Sequence, residues 1–183
     1  MMDQGLIPNR YAKALYKFAL EKGDAEHMYG LMKSVAAAFA AQPRLQEVMI
    51  NPYIAAADKT RLLTTAAGTD AATDRCYADF LRLLHDNRRI DFMRDIALAY
   101  LGIYRKANNI YLVNVVTASR LPDDEVERLR RLVEKHLDGA SMEFSQSIDP
   151  QLIGGFVINI NSERLDASVS NELKQLRLKL LSN

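Results

Sequence analysis

The chain is poor in the residues and patterns that announce chemistry. It has one cysteine, Cys76, which rules out an internal disulfide, and no CxxC pair. Its three histidines, His27, His85 and His136, are far apart, and none stands in HExxH or beside other metal-ligand residues, so each reads as a surface or boundary residue. There is no GxxxxGK[ST] loop, no GxGxxG turn opening a helix and no GxSxG elbow. No window approaches the ~20 apolar residues of a membrane span, and the start, MMDQGLIPNRYAK, lacks the apolar core of a signal peptide. The expectation is an intracellular protein that reaches a membrane only through a partner. Excess charge is missing too: residues 1–106 carry 15 Lys and Arg against 12 Asp and Glu, residues 107–183 carry 9 against 11, and the net charge is +1. Neither part has the concentrated basic face that a phosphate backbone requires, so no nucleic-acid partner is expected. Repeats and low-complexity tracts are absent.

What is present is apolar surface, 49% of 183 residues, enough for one domain or two small ones. As far as about Lys106 the pattern is helical. Pro8 and Asn9 precede a first helix over Arg10 to Lys22, stopped by Gly23. Asp24 caps a second that reaches Ala41, and Pro43 opens a short third that ends at Asn51 and Pro52. Asp58 to Ala67 gives a fourth, closed by Gly68. Asp70 caps a fifth ending near His85, and Arg89 to Lys106 forms a long sixth. Short connections favour an antiparallel bundle.

The character then changes. Ile110 to Ala118 reads as a buried strand, and Pro122 with Asp123, Asp124 and Glu125 opens a helix whose Val126, Leu129, Val133 and Leu137 share a face. Met142 to Ile148 alternates as a half-exposed strand. Gly154 and Gly155 open another strand through a tight backbone entry, and a last helix follows from Val169 to Leu181. The expected fold is an all-α six-helix bundle over residues 1–106, followed by a small α+β domain over 107–183.

No constellation supports catalysis, and no cofactor or metal is expected. The acids at 123–125 suit a helix start, Arg128, Arg130 and Arg131 a solvated face, and Cys76 a packing role. Two helices are more apolar than a bundle core needs. In the first, Tyr11, Ala14, Leu15 and Phe18 form a stripe that Ala12, Tyr16, Ala19 and Leu20 widen; in the fifth, Tyr77, Phe80, Leu81 and Leu84 do so, with Cys76 and Leu83 beside them. Pattern alone leaves two readings equal: these residues complete the core, or they flank a groove for a partner helix.

Three blocks in fixed order resemble one family. They are Arg10-Tyr11-Ala12-Lys13-Ala14-Leu15 with Phe18 and Ala19; Phe80-Leu81, Leu84 and Asn87-Arg88-Arg89; and Leu152-Ile153-Gly154-Gly155 with Asp166 and Ser168-Val169. Together they are similar to the delta subunit of F-type ATP synthase, the bacterial counterpart of the oligomycin-sensitivity-conferring protein. Two positions depart: Asn161-Ser162 occupies a turn where glycine is common, and Ala167 stands where the family often has glycine. Asn tolerates left-handed backbone, which keeps a hairpin feasible.

The resemblance implies a non-catalytic stator subunit in the peripheral stalk of a proton-translocating F-type ATP synthase, monomeric when isolated. Its setting would be the cytoplasmic side of the bacterial inner membrane. It implies that the helical domain binds the N-terminal segment of the alpha subunit through Tyr11, Ala14, Leu15, Phe18, Phe80, Leu83 and Leu84, with Met28 nearby. The second domain would meet the C-terminal region of the b subunits, shaped by Gly154, Gly155, Asp166 and Ser168. There Val169, Leu173, Leu176 and Leu180 serve as core or as b contacts, core being the simpler assignment. A nucleotide-binding enzyme, a nucleic-acid module and a generic helical adaptor with unrelated partners are the rival readings.

Overall fold

The computed structural model describes residues 5–68, 70–171 and 173. It is mostly helical with one small four-stranded sheet, and it divides into two compact units between Ala107 and Asn108. The first unit holds α1 (Leu6–Lys22), α2 (Ala25–Ala41), α3 (Arg44–Ile50), α4 (Ala56–Ala67), α5 (Arg75–Asp86) and α6 (Met93–Ala107), with 3₁₀ turns at Asp70–Ala72 and Ile90–Phe92. The second holds β1 (Tyr111–Thr117), α7 (Asp123–His136), β2 (Met142–Ile148), β3 (Gly155–Ile160) and β4 (Glu163–Ser168).

Several boundaries differ from the sequence reading, each for a local reason. Helix α1 begins at Leu6 and takes Pro8 into its first turn, where a missing backbone N–H leaves no helical bond unmade. The cap of α5 is Asp74, not Asp70: Asp74 Oδ1 accepts from the Tyr77 N–H at 2.7 Å, while Asp70 belongs to the preceding 3₁₀ turn. Helix α5 stops where Arg88 turns left-handed (φ 55°), and the Arg88 and Arg89 N–H groups donate to the His85 and Leu84 carbonyls. The Asn87-Arg88-Arg89 block thus closes a helix. Replacing Asp74 by Ala removes the cap and the 3.1 Å contact of Asp74 Oδ2 with His27 Nε2, and is expected to lower stability by about 1 kcal/mol, with Asn retaining most of it; chemical denaturation of the two variants checks this.

In the first unit α1 and α2 both pack on α6, and α2 also rests on α4. Leu15, Met28, Met32, Leu63, Tyr77, Met93, Ile96 and Tyr100 form the centre of its core. Two tyrosines tie that core to backbone: the Tyr77 hydroxyl donates to the Leu63 carbonyl at 3.0 Å and the Tyr100 hydroxyl to the Ala25 carbonyl at 3.1 Å. Burial pushes both phenols well above the ordinary tyrosine range. The fold's preference for neutral phenols is therefore fully present below about pH 10, the unfolded value, and is lost as pH rises beyond it. In an alkaline absorbance titration these two of the eight tyrosines should ionise only together with the loss of helical circular dichroism.

The sheet order is β2-β1-β3-β4, with β1 and β2 parallel across the α7 crossover and the other pairs antiparallel. Val113, Val115 and Ile158 project to one side and meet Val133 of α7, with Leu129, Leu137 and Phe144 around them. The order strand, helix, strand, strand, helix expected from sequence omits β4. Its segment, Glu163-Arg164-Leu165-Asp166-Ala167-Ser168, is polar enough to hide a strand; pairing with β3, not intrinsic preference, makes it one. The two-residue turn Asn161-Ser162 joins them, with Asn161 left-handed at φ 51° and its side chain accepting from the Leu112 N–H. After Ser168 the backbone turns helical at Val169.

Candidate functional site

Helices α1 and α5 frame an open apolar groove on the first unit. It consists of two adjoining depressions of about 410 and 330 Å³ that share Ala14 and Leu83. Ile7, Arg10, Tyr11, Asn87 and Arg89 complete one, and Leu15, Phe18, Cys76, Asp79 and Phe80 the other. The groove exists because each helix spends only part of its apolar stripe on the core. Ala12, Leu15 and Ala19 turn inward from α1, as do Tyr77, Phe80, Leu81 and Leu84 from α5. Left on the open side are Ala14, Phe18 (39% exposed) and Leu83 (46% exposed), with Tyr11 half-buried.

Charge is placed at the ends of this trough. Arg10 and Arg89 stand at one end and Asp79 at the other, while Lys22 Nζ lies 5.7 Å from the centre of the Phe18 ring. The floor is apolar and the rim charged, a combination suited to the apolar face of an amphipathic helix. It holds no acid–base pair and no nucleophile: Cys76, largely buried, has its thiol pushed up to about 11 by desolvation first and by the neighbouring carboxylates second.

The residues singled out in the sequence separate here. Tyr11, Ala14, Leu15, Phe18, Phe80 and Leu83 come together along the groove. Met28 and Leu84 are fully buried within the core and offer no surface to a partner. Sequence reasoning passed over Ile7, Asp79 and Asn87 as lining residues. The signal was spacing: Ile7, Tyr11, Ala14 and Phe18, like Cys76, Asp79, Leu83 and Asn87, recur every three or four residues on one helix face.

In the second unit the glycine pair meets the Asp-x-Ser-Val segment at one corner. Gly155 is left-handed (φ 79°), and a Cβ there would strike the Ala167 carbonyl oxygen and lie 3.0 Å from Ser168 Cα. The Val169 N–H donates to the Gly154 carbonyl at 3.1 Å. Asp166 Oδ1 accepts from both the backbone and the hydroxyl of Ser168, and Ser168 Oγ accepts from the Asn171 N–H, capping the helical turn that follows. Those two bonds from Ser168, with Arg164 contributing next, hold the Asp166 carboxyl below its ordinary range. The motif therefore builds the strand-to-helix corner. Val169 and Leu173 are exposed, at 39% and 56%, whereas Leu176 and Leu180 lie outside the described residues.

Residues 7–180 match the family described as ATP synthase delta (OSCP) subunit. An ATP synthase subunit delta of Bacteroides thetaiotaomicron is 37% identical over 176 residues, covering 96% of this chain and 94% of that protein. One from Parabacteroides distasonis is 35% identical, covering 100% and 99%. A chain in the cryo-EM structure of the Toxoplasma gondii mitochondrial ATP synthase hexamer shares the fold with a TM-score of 0.71 at 20% identity, covering 95% of this chain and 97% of that one. With the match running through both units, the chain belongs to the ATP synthase delta (OSCP) subunit family.

Proposed function

We propose that this subunit acts as a two-ended clamp: the first unit, working as a helical bundle, grips the N-terminal segment of the alpha subunit in the α1/α5 groove, and the second holds the C-terminal region of the b subunits. Family membership makes the chain a non-catalytic component of the peripheral stalk of an F-type ATP synthase. No described helix is long and apolar enough to cross a membrane, which fits peripheral association through the complex. The proposed side is the cytoplasmic face of the bacterial inner membrane.

The observation that carries the reading is the groove itself, open and apolar along two helices with charge confined to its rim. Rotation of a central shaft exerts a reaction torque on the catalytic head, and resisting it demands slow dissociation. Apolar anchors supply that at ~25 cal/mol per Å² buried, less the losses of association. Two units holding different partners gain further through effective concentration. Adding a peptide of the alpha subunit's N-terminal sequence to the full chain should shift NMR signals of Ala14, Phe18 and Leu83. Shifts confined to other faces would place the alpha contact elsewhere.

A further inference from the structure

Away from the groove, the first unit has a larger depression of about 860 Å³ between the end of α3, the start of α4 and the turn that ends α5. The α5 turn divides its side chains between the two: Asn87 and Arg89 line the groove, whereas His85, Asp86 and Arg88 line this depression. Met49, Ile50, Ile54 and Ile90 give it apolar walls, and Lys59 lies among them.

Lys59 is only 8% exposed, a rare setting for an ammonium group. Its Nζ donates to the Met49 carbonyl at 2.7 Å, and among the described residues it has no ion pair with a carboxylate. Met49 stands in the last turn of α3, where a cation suits the helix dipole. That contact uses one of three N–H groups, and an exposed lysine could make it without giving up its hydration. Two donors and a full charge are left against apolar walls, a costly arrangement without an anion. The start of α4 points the same way. No side chain caps it, and the first N–H groups bonded back to Ala55 are those of Asp58 and Lys59. Ala56 and Ala57 therefore keep open N–H groups at the positive end of the helix, and Ala55, Ala56 and Lys59 line the same depression.

We propose that this depression binds a small organic monocarboxylate, with its carboxylate on Lys59 Nζ and the first N–H groups of α4 and its hydrocarbon end against Ile50, Ile54 and Ile90. The charges select the class. The lining is neutral overall, Lys59 and Arg88 against Asp86 and Asp91. The buried lysine accommodates one negative charge, and the two acids repel a second, which disfavours a phosphate dianion. The apolar walls then reward chain length, each fully buried methylene tightening binding about fourfold. Arg88, exposed at the rim, adds a second cation near the entrance. The site shares no lining residue with the α1/α5 groove, so it stands or falls apart from the alpha-subunit contact.

The test titrates the full chain with acetate, hexanoate, 1-hexanol and phosphate while following backbone amide NMR signals. Hexanoate should give saturable shifts at Ala56, Ala57 and Lys59 and bind roughly tenfold or more tighter than acetate; 1-hexanol and phosphate should leave those signals in place. Lys59→Met, which keeps an apolar stem, should weaken hexanoate by about tenfold or more. If that variant does not fold, Arg88→Asn decides: Asn tolerates the left-handed turn at φ 55°, and loss of the rim cation should weaken hexanoate about threefold. Absence of saturable shifts in the unaltered chain, equal affinity for acetate and hexanoate, an equal response to 1-hexanol, tighter binding of phosphate, or unchanged hexanoate affinity in the folded variants would overturn the site.

Discussion

Replacing Gly155 by Ala is expected to lower the stability of the second unit by about 3–5 kcal/mol. Two effects combine. At φ 79° a side chain is strained whatever surrounds it, and the added Cβ would run into backbone: the Ala167 carbonyl oxygen, Ser168 Cα at 3.0 Å and Val169 N at 3.2 Å. Backbone cannot step aside as a side-chain end can. Shifting it would loosen the β3–β4 pairing and the bonds among Asp166, Ser168 and Asn171. At roughly 0.05–0.15 kcal/mol per residue, a unit spanning residues 108–183 holds about 4–11 kcal/mol in all, so the loss takes about a quarter or more.

Denaturation of the full chain followed by methyl NMR checks this. Signals of Val113, Val115 and Val133 should disappear at lower denaturant in Gly155→Ala, while those of Leu63 and Met93 hold their midpoint. Gly154→Ala is the control, because its Cβ meets only the movable Val169 Cγ2 at 3.3 Å; a change under about 1 kcal/mol is expected. Equal effects of the two substitutions would contradict the corner geometry.

The second large effect concerns the groove. Leu83→Asp should weaken binding of an alpha-subunit N-terminal peptide by about 30-fold or more, since a central apolar anchor contributes about 2 kcal/mol or more and a buried carboxylate adds its own desolvation. Leu83 is 46% exposed, so the free protein keeps its fold, and unchanged circular dichroism and melting should accompany the lost affinity. Tyr11→Asp should act in the same direction with some loss of stability, because Tyr11 also packs against the core.

Much of this was legible in the sequence, and the failures have physical causes. Helical periodicity located α1, α2 and α4 to α6 because their apolar stripes repeat every three or four residues. The ends were less readable: Asp70 and Asp74 are both plausible caps, and only the 3₁₀ turn at Asp70–Ala72 decides between them. Strand β4 escaped because only Leu165 and Ala167 alternate with its polar residues, too short and too weakly apolar a pattern to stand out as a strand. The apolar stripes of α1 and α5 were visible, but their division between core and surface depends on how α1 sits on α6, a long-range fact. That is why Leu84, correct in spacing, proves to be fully buried, while Asp79 and Asn87 line the groove; Met28, which only the resemblance implied, is fully buried too. Where periodicity alone left the core and groove readings even, the family resemblance favoured the groove.

The central claim, that the α1/α5 groove holds the alpha subunit's N-terminal segment, is tested most directly by calorimetric titration of that peptide into three forms of the full chain. These are the unaltered protein, Leu83→Asp, and Leu98→Asp, the last altered at a comparably exposed leucine of α6 outside the groove lining. The account predicts one-to-one binding by the first and third and its near loss in Leu83→Asp. Equal affinity in all three, with the fold intact, would contradict it.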